Sequence, residues 1–110
     1  IMTNLINTNV IFGINIDINQ KNLDGDTPLH LAIKNNHIQT AKIIIDNQNF
    51  ENDIKNIAQE TPLHLAAQIN SLELVELLLS KGANPCNLTL GDFAPSSLTT
   101  NPEIREKLIE

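Results

Sequence analysis

Residues 24–33 read D-G-D-T-P-L-H-L-A-I, and residues 58–67 read A-Q-E-T-P-L-H-L-A-A. The six-residue core T-P-L-H-L-A is identical in both stretches, at Thr27–Ala32 and Thr61–Ala66, 34 residues apart. A damaged third copy begins at Ala94-Pro95, 33 residues after the second. This period indicates stacked repeats, because each short unit can bury its apolar face only against the next unit.

Each copy carries the signals of a helix start. Thr27 and Thr61 are suited to cap a helix, because a threonine hydroxyl accepts hydrogen bonds from amides of the first turn. Pro28 and Pro62 then take the first helical position, where a missing N–H costs nothing. The apolar residues that follow recur at helical spacing. They predict a core of Leu29, Ala32, Ile33, Ile38, Ala41, Ile44 and Ile45, followed by Leu63, Ala66, Ala67, Leu72, Val75, Leu78 and Leu79.

Asparagine and glycine mark the expected helix ends. Asn35-Asn36 and Asn70 end the first helix of each unit, because Asn tolerates the left-handed backbone of a helix terminus. The second helix of the first unit is predicted at about Ile38–Asn47, and Gly82 is placed just past the end of its counterpart. The fold class is therefore all-α, built from helix pairs too short to be stable alone.

These motifs resemble the ankyrin repeat family, whose signature includes T-P-L-H-x-A in a unit of about 33 residues. The second unit is most similar, through T-P-L-H-L-A-A at Thr61–Ala67, L-E-L-V-E-L-L-L at Leu72–Leu79 and K-G-A-N at Lys81–Asn84. The resemblance implies an ankyrin-repeat solenoid of stacked antiparallel helix pairs with β-turn fingers near 17–26, 51–60 and 85–93. We expect one domain over 1–110, a fragment of a longer protein. Its parts are a partial repeat (1–22), two repeats (23–56 and 57–89) and a degenerate terminal repeat or cap (90–110).

The amino-acid composition limits the classes of partner and site that this chain is expected to have. The chain has 110 residues, Lys+Arg 7 and Asp+Glu 13, which gives a formal net charge of −6. Neutralising a nucleic-acid backbone needs clustered basic residues, so no nucleic-acid partner is expected. No apolar run approaches the roughly 20 residues that span a bilayer, and no membrane partner is expected either. Cys86 is the single cysteine, which excludes an internal disulfide and, without a C-x-x-C, argues against zinc.

The histidines have structural explanations. His30 and His64 occupy equivalent repeat positions, which stacking places about 10 Å apart, too far to share a metal. The resemblance implies that each imidazole bonds its capping threonine and a neighbouring loop. We therefore expect no catalytic residues, no enzyme activity, no metal and no cofactor. A structural role is assigned to Thr27, Pro28, His30, Thr61, Pro62, His64 and Gly82.

The resemblance implies a non-catalytic, monomeric module for protein–protein interaction. In ankyrin repeats the partner usually meets the finger tips and the exposed side of the first helices, which together form the concave face. Carried over to this chain, the candidate partner-binding positions are Lys21, Leu23, Asp24, Asp26, Lys34, Asn35, Lys55, Ile57, Ala58, Glu60, Gln68, Ile69, Leu88, Leu90 and Phe93. If all point outward, Leu23, Ile57, Ile69, Leu88, Leu90 and Phe93 form an exposed apolar track. Alternatively, several are buried between fingers or are covered by flanking repeats.

The sequence alone leaves the biological setting of the module open. The module either acts on its own or is a regulatory or structural segment of a larger multidomain enzyme or host-directed effector. A cytoplasmic protein is expected, with delivery into a host cell by an intracellular bacterium or virus as a further alternative. Fold resemblance alone does not decide between these settings.

Overall fold

The computed structural model describes residues 18–47 and 50–109. Within these ranges the chain forms helices and no strands, as the all-α prediction requires. The helices are α1 (Pro28–Lys34), α2 (Ile38–Ile45), α3 (Pro62–Gln68), α4 (Leu72–Ser80), α5 (Pro95–Leu98) and α6 (Pro102–Ile109). Most of the expected partial repeat over 1–22 lies outside the described residues.

Successive helix pairs stack on one another. Within a unit, α1 packs on α2, α3 on α4, and α5 on α6. Between units, α1 contacts α3 and α3 contacts α5, while α2 contacts α4 and α4 contacts α6. First helices therefore form one layer and second helices form another. The arrangement is the solenoid that the repeats predict.

The T-P-L-H stretch builds the same helix start twice. At α1, Thr27 Oγ1 accepts a hydrogen bond from the His30 amide at 3.3 Å, and the Thr27 amide donates to His30 Nδ1 at 3.1 Å. At α3, Thr61 and His64 repeat these bonds at 3.3 Å and 3.1 Å. Each pair is a capping box in which histidine takes the place of the usual Glu or Gln.

The predicted helix ends are left-handed residues. The φ angles of Asn36, Asn70 and Gly82 are 60°, 59° and 98°. After α4, the Gly82 amide bonds the Leu79 carbonyl at 3.0 Å and the Ala83 amide bonds the Leu78 carbonyl at 3.1 Å. This is the Schellman pattern, which satisfies carbonyls that the helix leaves unpaired. The same pair of bonds follows α1 and α3.

The core is a layer of aliphatic side chains between the helices. Most of the predicted positions are buried, namely Leu29, Ala32, Ile33, Ala41, Ile44, Ile45, Leu63, Ala66, Ala67, Val75 and Leu78. Ile38, Leu72 and Leu79 are only partly buried and pack against this layer. Leu74 is also buried although the predicted stripe omits it, and its helix α4 packs against α2 of the preceding unit and α6 of the next as well as against α3. The second helix of the first unit ends at Ile45, earlier than predicted, with Asp46 as its C-cap.

The third unit is shortened. Its first helix, α5, has four residues, and Ala94 offers no side-chain cap. The Asn70 side chain secures this end, because its Oδ1 accepts hydrogen bonds from Thr99 Oγ1 at 2.6 Å and the Thr100 amide at 3.1 Å. In α6, Ile104 and Leu108 are buried, and α6 packs on α4 and α5.

Candidate protein-binding surface

The tips of the three fingers share one backbone conformation. Asn22 Oδ1 accepts hydrogen bonds from the amides of Asp24 and Asp26 at 2.9 Å and 3.0 Å. Asn56 Oδ1 accepts the Glu60 amide at 2.9 Å, and Thr89 Oγ1 accepts the Phe93 amide at 3.2 Å. The fourth residue of each tip is left-handed, with φ of 75° at Gly25 and 63° at both Gln59 and Asp92. We call the three tips, residues 22–26, 56–60 and 89–93, the finger rim.

Neighbouring tips are joined through the backbone. The Ile57 amide donates to the Asp24 carbonyl at 3.0 Å, and the Leu90 amide donates to the Ala58 carbonyl at 3.0 Å. The tips approach so closely that a Cβ added at Gly25 would lie 2.7 Å from the Ile57 nitrogen. This contact leaves no room for a Cβ at Gly25, whereas Gln59 and Asp92 show that the positive φ alone is compatible with other residues. The rim is held by main-chain bonds, which leaves its outward side chains available for contact.

The two buried histidines tie each first helix to the next finger. His30 Nε2 donates to the Glu60 carbonyl at 2.8 Å, and His64 Nε2 donates to the Phe93 carbonyl at 3.0 Å. Because Nδ1 accepts from the threonine amide, both rings are neutral and carry their proton on Nε2. Burial lowers the pKa of both imidazoles more than the carbonyl bonds raise it. Both ring nitrogens are occupied in each case, so neither histidine offers a site for catalysis or metal binding.

The family resemblance implies that Asp26 lies on the surface, and this expectation is wrong. Its side chain is 3% exposed. The carboxylate accepts hydrogen bonds from Asn56 Nδ2 at 2.8 Å and from Lys34 Nζ at 2.9 Å. Burial raises the pKa of Asp26, but the bonds from Asn56 and Lys34 outweigh it and hold the pKa below its usual value. Asp26 therefore fastens the first finger to α1 and to the second finger.

The apolar residues of the rim point outward. Leu23, Ile57 and Leu90, which we call the tip row, occupy the same position in consecutive fingers and are 96%, 63% and 69% exposed. Leu88 and Phe93 are also exposed. Burial between fingers, the alternative left open by the sequence, therefore does not apply to these five residues. Ile69 differs, because it is partly buried and packs against the core.

The remaining candidate positions divide by exposure. Lys21, Asp24, Lys34, Asn35, Ala58 and Gln68 are exposed, whereas Lys55 and Glu60 are half-buried. Lys21 Nζ donates to the Lys55 carbonyl at 2.6 Å, so this lysine braces the first two fingers. A depression of about 430 Å³ lies between α1 and α3, beside the second finger. It is lined by Lys34, Glu60, Leu65, Gln68 and Ile69.

Other kinds of site find little support in the described part of the chain. Across residues 18–47 and 50–109, no group of three or more His, Cys, Asp or Glu side chains is placed to hold a metal ion. Cys86 is an exposed free thiol and not the small buried hydrophobe that a free cysteine more often is. None of the helices described has the length and apolar character needed to cross a bilayer.

Comparison with known proteins agrees with the fold. A family model described as ankyrin repeats, in three copies, matches residues 2–89. The match spans both T-P-L-H-L-A copies and confirms the resemblance that the sequence predicts. No curated protein matches the chain.

Proposed function

The chain belongs to the ankyrin repeat family, and on that premise we propose that it is a non-catalytic module that binds a partner protein through its concave face and finger rim. Ankyrin repeats are generally protein–protein interaction modules, and the family is typically non-catalytic. We also propose that the module is monomeric and acts in the cytoplasm, because ankyrin repeats are usually intracellular. Its repeats run over 23–56 and 57–89, and 90–110 forms the terminal cap.

The observation that carries this proposal is the tip row. Leu23, Ile57 and Leu90 are exposed at equivalent positions of three joined fingers, where their side chains do little for the fold. Fully burying a side chain of this size is worth about 1.5–3 kcal/mol. Exposed apolar residues that are grouped along one edge of a protein are typical of interaction sites. A partner that covers the tip row therefore gains apolar burial that the isolated chain lacks.

The rigidity of the finger rim supports the same proposal. The tips are fixed by the bonds between fingers, and the Lys34–Asp26 and histidine contacts hold them to the helices. Fixing the backbone of one flexible residue costs about 1–2 kcal/mol. A surface whose backbone is already fixed avoids much of this cost, so more of the contact energy contributes to affinity.

A capture experiment tests the proposal. The bait is the full chain, and the prey is an extract of the cells that produce it. The variant Leu23→Glu/Ile57→Glu/Phe93→Glu should lose the captured partner, because it places carboxylates on the apolar surface. Ile109→Glu is the matched control, because Ile109 is 66% exposed but lies on α6, outside the finger rim.

Partner capture is compared only between variants whose circular dichroism and melting temperature match those of the wild type. Loss of a specific partner from the triple variant, with retention by Ile109→Glu, supports the finger rim as the binding surface. Undiminished capture by a folded triple variant would falsify the proposal.

A further inference from the structure

We infer that the finger rim takes a basic amphipathic α-helix whose apolar residues recur every seven positions. This inference rests on the proposed function, since it names the class of partner that the tip row fits. Three properties of the rim lead to it. They are the spacing of the tip row, the poverty of aromatic residues and the charge of the fingers.

The spacing of the tip row follows from the stacking of the repeats. The helices α1, α3 and α5 pack in succession, and packed helices lie about 8–10 Å apart. Each pair of fingers is joined by the same backbone bond, so the fingers follow the stacking of the helices, and we expect Leu23, Ile57 and Leu90 to repeat at about this interval. An α-helix rises about 1.5 Å per residue, and seven residues advance about 10.5 Å while returning to nearly the same face. Three apolar residues at this period therefore meet the three tips.

Other backbone conformations fit the tip row less well. An extended strand advances about 3.3 Å per residue, so three residues cover the interval but place their side chains on opposite faces. A polyproline helix advances about 9.3 Å in three residues and matches the interval more closely. Its recognition, however, uses grooves lined by aromatic side chains. The chain has no Trp and no Tyr, and Phe93 is the single aromatic residue in the rim.

The net negative charge of the fingers favours a partner helix with basic residues on its polar side. Apart from Asp26, whose buried carboxylate pairs with Lys34, residues 18–26, 51–60 and 85–93 contain five acidic and two basic residues, a net charge of −3. Asp24 and Asp92 are exposed beside the tip row. Lys34 does not offset them, because it pairs with the buried Asp26 carboxylate at 2.9 Å. Lysine or arginine residues flanking the apolar stripe of a helix would therefore be attracted to the rim.

Two synthetic peptides of identical composition test the inference. Both have about 18 residues of alanine and lysine with three leucines, a length that spans the tip row as a helix. In the first peptide the leucines are seven residues apart, and in the second they are five residues apart and face different directions. Binding to the full chain is measured by isothermal titration calorimetry, and peptide helicity by circular dichroism. The first peptide should gain helicity and bind at least about tenfold more tightly than the second.

Variants of the protein locate the contact. Leu23→Ser/Ile57→Ser/Leu90→Ser should weaken binding of the first peptide about tenfold or more, whereas Ile109→Ser should leave it unchanged. Asp24→Asn/Asp92→Asn should weaken binding and reduce its dependence on salt. Asparagine is suited to position 92, because it tolerates the φ of 63° found there.

Each contrary result has a definite meaning. Equal affinity for the two peptides, or an unaltered affinity in the serine variant, overturns the match between tip row and helix. Absence of binding by the first peptide overturns the partner class. The capture experiment described above is independent of both peptides, so failure of the helix inference and failure of the proposed function can be told apart.

Discussion

The hydroxyl of Thr61 should contribute about 2 kcal/mol to stability. Thr61 is fully buried, and its Oγ1 accepts from the His64 amide at 3.3 Å and donates to His64 Nδ1 at 2.8 Å. Loss of a helix N-cap costs about 1 kcal/mol, and loss of a further buried hydrogen bond costs about 1 kcal/mol. Thr61→Ala also removes a buried methyl group, worth about 1 kcal/mol. The total is about 3 kcal/mol, a large part of the roughly 5–15 kcal/mol that stabilises a small domain.

The matched control is Thr61→Ser, which keeps the hydroxyl and removes the methyl group alone. Its expected cost is about 1 kcal/mol, so the difference between the two variants isolates the hydroxyl. In urea unfolding followed by circular dichroism, a small protein has a slope of about 2 kcal/mol per molar urea. The alanine midpoint should therefore lie about 1 M below the serine midpoint. Coincident midpoints would show that the hydroxyl bonds add nothing to stability.

Three further predictions concern the fingers, the histidines and the last unit. Gly25→Ala should lower the melting temperature more than Gly82→Ala, although both glycines have positive φ. A Cβ at position 25 would lie 2.7 Å from the backbone nitrogen of Ile57, whereas a Cβ at position 82 would lie 3.4 Å from the Asn52 side chain. Equal shifts would contradict the close contact between fingers. Burial lowers the pKa of His30 and His64 below 6.5, so the unfolded chain binds more protons, and the free energy of unfolding should fall as pH drops below about 6.5. A denaturation midpoint that stays constant between about pH 7.5 and about pH 5 would refute this. Asn70→Gly keeps the left-handed backbone but deletes the bonds to Thr99 and Thr100, so amide exchange in α6 should speed up about tenfold while α2 is unaffected. Unchanged exchange in α6 would show that these bonds do not hold the terminal cap.

The parts of the fold that the sequence predicts well depend on contacts within one helix turn. Thr61 bonds a residue three positions later, and at the end of α3 the amides of Asn70 and Ser71 donate to the carbonyls of Ala67 and Ala66. Such contacts depend on residue type at short spacing, so a single repeat unit already contains the information. The buried positions Leu63, Ala66 and Ala67 of α3 follow from the same local period, which does not include the buried Leu65.

The predictions that were wrong or incomplete concern residues whose burial depends on contacts between repeats. Asp26 is buried because Asn56, 30 residues later, bonds its carboxylate, and nothing near Asp26 in the sequence indicates this. Leu74 lies on α4, which packs against helices of both neighbouring units, and a stripe predicted within one unit does not include such contacts. At the surface, the family positions locate the exposed tip row correctly. They do not show that Ile69, at the C-cap of α3, packs against the core.

Photo-crosslinking from the finger rim is the most direct test of whether the rim is where a partner protein binds. A photoreactive amino acid is placed at Ile57 in one variant and at Ile109 in another, since their exposed fractions are similar at 63% and 66%. After irradiation in an extract of the producing cells, adducts are identified by mass spectrometry. A specific protein adduct at position 57 and none at position 109 is the expected result. Adducts at position 109 alone, or the same adducts from both positions, would contradict binding at the finger rim.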